Sequence, residues 1–165
     1  RYLSATTYRF ISGHCNFNAN PKTNKIMTGE LYINGKDAWT SWGVSMGDGF
    51  LDALDAPLQM KDYIESESRL ENGKHIHTGN AKVASRDITL QFTIMGESAS
   101  DYRTKKKAFL DELQAGAFTV EVPMLGNDIY HLVYTGKSIS YGLNLNRSFG
   151  HFSTKVTEPN PTNRV

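Results

Sequence analysis

Residues 86–95 read RDITLQFTIM, and they constrain the fold more tightly than any other stretch of the chain. Ile88, Leu90, Phe92 and Ile94 occupy every second position, with Asp87, Thr89, Gln91 and Thr93 between them. That period of two predicts a strand with one buried face. Such a strand needs neighbours along its edges and a layer over its apolar side. The pattern then changes within a few residues. Between Ser98 and Gly116, the side chains of Tyr102, Phe109, Leu110 and Leu113 fall on one arc when turned by about 100° per residue, which predicts an amphipathic helix. Ser98 with Asp101 three residues on gives a capping-box start, and Gly116 gives a stop.

The other apolar segments also read as strands. "ELYINGKDAW" carries Asn34-Gly35, the dipeptide that best accepts the positive φ angles of a tight hairpin turn. "AFTVEVP" sets Phe118, Val120 and Val122 against Thr119 and Glu121. "IYHLVYTG" is apolar on both faces, as a central strand would be. "KSISYGLNL" follows, then "RSFGHFSTKVTEP" with Phe152, Thr154 and Val156 on one face. The prolines of "EPNPTNRV" end the sheet. "TSWGVSMGDGFLDALDAP" reads as a loop, and residues 57–80 as an exposed hairpin or long loop centred on Asn72-Gly73. The expected class is mainly β (α+β): an antiparallel β-sandwich or split barrel with one flanking α-helix.

Charge bears on both organisation and partners. The chain has 165 residues and a formal net charge of +1, so no global field draws it to nucleic acid or a membrane. Residues 1–26 hold four of its 18 basic residues (Arg1, Arg9, Lys22, Lys25) and none of its 17 acidic ones, leaving the remainder net negative by three. This first segment is Asn-rich and shows neither period. It is read as an N-terminal extension, disordered or upstream read-through, with Met27 as the natural start and 27–165 as a single β domain. No apolar run approaches the roughly 18 residues of a membrane span. A single cysteine, Cys15, excludes an internal disulfide framework.

Candidate chemistry is sparse. "GVSMG" at 43–47 matches Gly-x-Ser-x-Gly, but Ser45 lacks the strong strand before it and helix after it that a nucleophile elbow needs. His75 and His77, two apart on a strand, would share a face and could begin a zinc site, with His131, His151 or Glu71 as third ligand. This gives a different-class alternative: a small metal-dependent hydrolase or binding module. The acids Asp48, Asp52, Asp55, Glu65 and Glu67 read as solvated surface, and Cys15 beside His14 as no nucleophile. No catalytic, cofactor or metal residue is assigned, and no cofactor is expected.

Lys105, Lys106 and Lys107 are the densest run of positive charge. On a helix they fan over about 200° and cannot form one stripe. Lys106 falls inside the apolar arc, so its stem must lie along the core edge with the ammonium reaching out. Asp101 with Lys105, and Lys107 with Asp111, are spaced to pair. The aromatics that could stack bases are expected on buried faces, which argues against nucleic-acid binding.

The order "LYINGKDAW", long polar loop, "SRDITLQFTI", "SASDYRTKKKAFLDELQAG", "AFTVEVP", "IYHLVYTG" and "FSTKVTEPNPTNR" resembles the tail-tube-related domain of bacteriophage distal tail proteins, especially those of Bacteroides-type prophages. The resemblance covers residues 30–164. It implies a phage tail-tube-like fold and a structural rather than enzymatic role in the virion: a homohexameric ring joining tail tube to baseplate or tip. Its partners would be the tube, the baseplate hub and the tape measure, with DNA only passing through the channel. The major tube protein or another baseplate ring subunit is the sibling reading. The 57–80 segment would be the arm that reaches a neighbouring subunit. The resemblance leaves no room for the extra carbohydrate-binding-like domain of larger distal tail proteins.

Overall fold

The computed structural model of the chain describes residues 27–165. Cys15, His14 and the questions attached to residues 1–26 lie outside the described residues. Seven strands form one antiparallel sheet: β1 (Tyr32–Ile33), β2 (Lys36–Asp37), β3 (Val44–Met46), β6 (Arg86–Met95), β7 (Ala117–Glu121), β8 (Ile129–Leu143) and β9 (Phe149–Glu158). They lie in the order β2-β1-β7-β8-β9-β6-β3. The remaining two, β4 (Ile64–Glu67) and β5 (Lys74–His77), pair only with each other. The mainly-β, antiparallel class expected from the sequence holds.

The connection between the outermost strands decides the sheet's shape. β2 and β3 stand at opposite ends of the order, yet α1 (Ala38–Trp42), a helix of five residues, joins them. A flat sheet of this size would hold its edges roughly 29 Å apart, at about 4.8 Å per strand. The helix covers only about 8 Å. The sheet must therefore curl until its edges nearly meet, with α1 seated in the gap. That is the split-barrel form of the expected class. A contact from the β2 edge agrees: the Lys36 ammonium lies 5.6 Å from the ring centroid of Trp42, at the end of α1.

Local chemistry explains the elements. Asn34 and Gly35 take φ of 51° and 72°, the left-handed pair that reverses β1 into β2. Asn34 also ties this hairpin inward, donating to Glu112 at 2.6 Å and accepting from the Thr119 amide at 2.9 Å. The Asp37 carboxylate caps α1, accepting from the Trp39 amide at 3.0 Å. The long helix α3 (Ala99–Gln114) begins at Ser98, whose hydroxyl accepts from the Asp101 amide at 3.1 Å. Asp101 in turn accepts from the Glu97 amide at 2.9 Å. The helix ends just before Gly116, at φ 107°, as its sequence predicts.

The core fills the curled sheet. Ile88, Leu90, Phe92 and Ile94 of β6 all point inward, with Phe118 and Val120 of β7, Tyr130 and Leu132 of β8, and Phe152 and Val156 of β9. α3 closes over them with Tyr102, Phe109 and Leu113. Phe92 is the hub, with ring centroids 5.2 Å from Phe50 and from Phe109, and 6.3 Å from Phe152. Edge-on and stacked contacts of this kind add to simple area burial.

Two expectations need correcting. The described residues form three α-helices where one was expected. The segment read as a loop supplies the last three residues of α1, the edge strand β3 and α2 (Phe50–Asp55). These elements are too short for a period to declare itself, and α2 starts after Gly49 with no side-chain cap. Second, "IYHLVYTG" is central in the order but fully buried on one face only: Val133 points outward and is exposed. It also continues into "KSISYGL" as one strand, with irregular register around Lys137 and positive φ at Gly136 and Ser138. Two charged side chains that the sequence reading passed over, Arg86 and Glu158, occupy inward positions of β6 and β9.

Candidate functional site

The arm at residues 58–83 leaves the barrel beside β6 and returns to it. Its base is tied by the Met60–Val83 bridge and by amide bonds from Lys61 to the Lys82 carbonyl and from Ala84 to the Gln59 carbonyl, each 2.8 Å. Beyond the base, β4 and β5 form the hairpin expected around Asn72-Gly73, and all their residues are exposed. Ile64 is 75% exposed and Leu70 94%, and Tyr63 and Ile76 are also open to solvent. A two-stranded hairpin is marginal by itself in water. Exposed apolar surface of this kind is a general mark of interaction sites.

His75 and His77 do share a face of β5, as their spacing requires, opposite Ser66 and Ile64. His75 Nε2 lies 2.5 Å from Glu71 Oε2. The proposed third histidines do not come near: His131 lies on β8, its Nε2 3.3 Å from the Val165 carbonyl oxygen, and His151 lies on β9 with its ring against Gly142. Among the described residues, no group of three or more His, Cys, Asp or Glu side chains is arranged to hold a metal.

Ser45 sits inside β3 rather than at a turn. Its hydroxyl is 2.5 Å from that of Thr93 on β6. His151 is the next residue in that row, paired with Thr93, but its ring lies over Gly142 on the far side. Among the described residues no base is hydrogen-bonded to Ser45, so the Gly-x-Ser-x-Gly match carries no nucleophile geometry there. Asp48, Asp52 and Asp55 are exposed, as are Glu65 and Glu67.

The lysine run behaves largely as its geometry demands. Lys105 pairs with Asp101 at 2.8 Å. The hydrogen bond from Lys105, with the Glu97 amide, holds the Asp101 carboxyl below its ordinary range. Lys106 is half-buried along the core edge, and its ammonium rests 3.9 Å from the centroid of the Tyr141 ring, a cation–π contact. Lys107 and Asp111, though correctly spaced, form no ion pair. The expectation that aromatics are spent on buried faces fails for Tyr141 and Phe149, which are exposed on the β8–β9 hairpin. The hairpin is paired to β6 as far as Phe149 with Met95, and only its turn lies beyond that rung.

Sequence reasoning missed the linkage between the two tyrosines. Tyr102 is buried under α3, and its hydroxyl meets that of Tyr141 at 3.0 Å. Burial, then this hydrogen bond, pushes the Tyr102 pKa well up. Gly150 makes the room: a Cβ there would collide with the Tyr102 hydroxyl. The signal was present in "FGH", a glycine inside an otherwise alternating strand.

Among the described residues, no helix is long and apolar enough to cross a membrane. No protein-family model matches the sequence, and no curated protein matches it. Among solved structures, the fold is similar to that of the SPP1 Dit (gp 19.1) protein, described as a paradigm of the hub adsorption apparatus in phages infecting Gram-positive bacteria. The TM-score is 0.53 at 12% sequence identity; the match covers 80% of this chain and 50% of that one. The chain thus spans about half the length of the protein it matches, and what they share is the fold.

Proposed function

We propose that the chain is a structural subunit of a phage tail, acting in a distal-tail-type ring between tail tube and baseplate, without catalytic chemistry. Its partners would be copies of itself and adjoining tail proteins, and its location the virion. The observation that carries this reading is the coincidence of two features. The barrel has the fold of a tail adsorption-apparatus protein, and an apolar, solvent-exposed arm projects from it. A monomeric domain gains nothing from such an arm. In a ring, the arm covers surface on a neighbour and is itself covered. Residues 27–165 are proposed as the folding unit, with the preceding segment outside it.

Sedimentation velocity tests the arm. Wild-type protein is expected to self-associate with increasing concentration. A variant in which residues 62–81 are replaced by a short Gly-Ser linker should keep the barrel's thermal transition and lose association. Unchanged association without the arm would refute the role assigned to it.

A further inference from the structure

The described chain segregates its charge along the sequence. Residues 129–157, the β8–β9 hairpin up to but not including its last residue, the buried Glu158, contain Lys137, Arg147 and Lys155 and no acid. Residues 38–60, from α1 through α2, contain Asp48, Asp52 and Asp55 and no Lys, Arg or His. Although both stretches border β6, the end of α2 and the turn of the hairpin, which carries Arg147, lie at opposite ends of that strand. The Arg86 guanidinium donates to the Leu54 carbonyl, placing the end of α2 at the start of β6. Met95, at the other end of β6, pairs with Phe149 of the hairpin. Ten residues of strand, about 30 Å, separate the two ends.

At the hairpin end lies a cavity of about 410 Å³ lined by Tyr102, Arg103, Lys106, Tyr141, Leu143 and Arg147. Three cations converge on it. Arg103 and Arg147 are exposed, and neither is paired with an acidic side chain among the described residues. Lys106 is held over Tyr141. Arg147 is fixed at a positive φ of 56° by a turn in which the Asn144 side chain accepts from the Ser148 and Phe149 amides. Outside the cavity, Leu145 is 100% exposed and Phe149 is open to solvent. Convergent unpaired cations call for an anion. The bare apolar rim calls for a protein rather than a phosphodiester backbone, which could not use it.

We propose that this cavity receives the acidic α2 segment of a second copy of the chain, so that Asp52 and Asp55 of one subunit meet Arg103, Lys106 and Arg147 of the next. The proposal rests on the ring reading above and supplies one of its head-to-tail contacts. Opposite charge at opposite ends of a subunit specifies a heterologous interface, which closes into a ring when its rotation permits.

A charge-swap experiment tests it. One variant carries Arg103→Glu and Arg147→Glu; the other carries Asp52→Lys and Asp55→Lys. All four positions are exposed, and circular dichroism checks that each variant folds. Association is followed by sedimentation velocity at low salt. Each variant alone should associate at least roughly ten-fold more weakly than wild type, and an equimolar mixture should recover most of the loss. Wild-type association with both variants unaffected would overturn the cavity assignment while leaving the ring intact. Variants that each lose association and fail to recover on mixing would overturn it as well. A wild-type protein that stays monomeric in these conditions would overturn the ring reading and this contact together. Retention of a short DNA duplex by wild type, lost in the arginine variant, would show the cavity to be a phosphate site instead.

Discussion

Arg86 and Glu158 face each other on the terminal rung of the β6–β9 ladder, buried, with Nε 2.5 Å from Oε2. The pair is a junction. The Arg86 guanidinium also donates to the Leu54 and Ala56 carbonyls at 2.8 and 3.0 Å, tying down the end of α2. The other Glu158 oxygen accepts from Arg164 at 3.2 Å, which folds the C-terminal segment back against the Tyr130 ring. Three separate stretches of chain are held by one carboxylate.

Removing that carboxylate should therefore be severe. Glu158→Gln leaves Arg86 without its counter-charge in a dry site, and a loss of about 3–5 kcal/mol in urea unfolding is expected. Replacing both partners, as Arg86→Met with Glu158→Leu, should be milder than Glu158→Gln alone, because Arg86 is no longer left as a buried unpaired charge and Arg164 keeps Asp128 at 3.5 Å. Equal or greater damage in the double variant would show that the carbonyl contacts of Arg86, not the ion pair, hold the junction.

This junction also marks the limit of what the sequence discloses. The inward residues Ile88 to Ile94 are legible because alternation is a local pattern. The α3 boundaries at Ser98 and Gly116 are legible because caps are local chemistry. Arg86 and Glu158 break the alternation at each strand's end, and their partnership spans 72 positions, so nothing nearby announces it. The short helices α1 and α2 stay hidden because five or six residues cannot display a helical period. For the candidate surfaces, the arm was legible from its polar composition and from Asn72-Gly73. The Tyr141 cavity was not, because it joins α3 to a hairpin tip distant in sequence.

Gly150 should resist any side chain. Gly150→Ala places its Cβ against the Tyr102 hydroxyl and 2.8 Å from the Gly142 carbonyl oxygen, for an expected loss of about 1–3 kcal/mol. Tyr102→Phe removes one of the two obstacles. A double-mutant cycle should then show the two substitutions together costing less than their sum. Strict additivity would mean that the Gly142 carbonyl is the decisive obstacle.

Stability should fall in acid for an identifiable reason. Asp87 is held below its ordinary pKa by the Thr157 hydroxyl and then Lys155, Asp101 by Lys105 and the Glu97 amide, and Glu112 by Asn34 and then Lys36. Depressed carboxylates stabilise above their unfolded pKa, near 4, and the gain disappears as pH drops through their folded values. Melting temperature should therefore be flat near neutrality and decline below about pH 4. A variant with Asp87→Asn, Asp101→Asn and Glu112→Gln should melt lower than wild type at pH 7, and the gap should close towards pH 2. A gap that stayed constant with pH would contradict this assignment.

His75 and His77 should prove dispensable to folding. Replacing both with alanine should alter unfolding free energy by less than about 0.5 kcal/mol, as is usual for exposed positions. Elemental analysis of purified protein should find no stoichiometric zinc. Bound zinc lost on the double replacement would revive the metal-site alternative.

Negative-stain electron microscopy of the concentrated protein is the sharpest check on assembly. Closed rings of six subunits around an open channel are expected. A uniform population of single 18.4 kDa particles at high concentration, in low salt and with the arm intact, would contradict it.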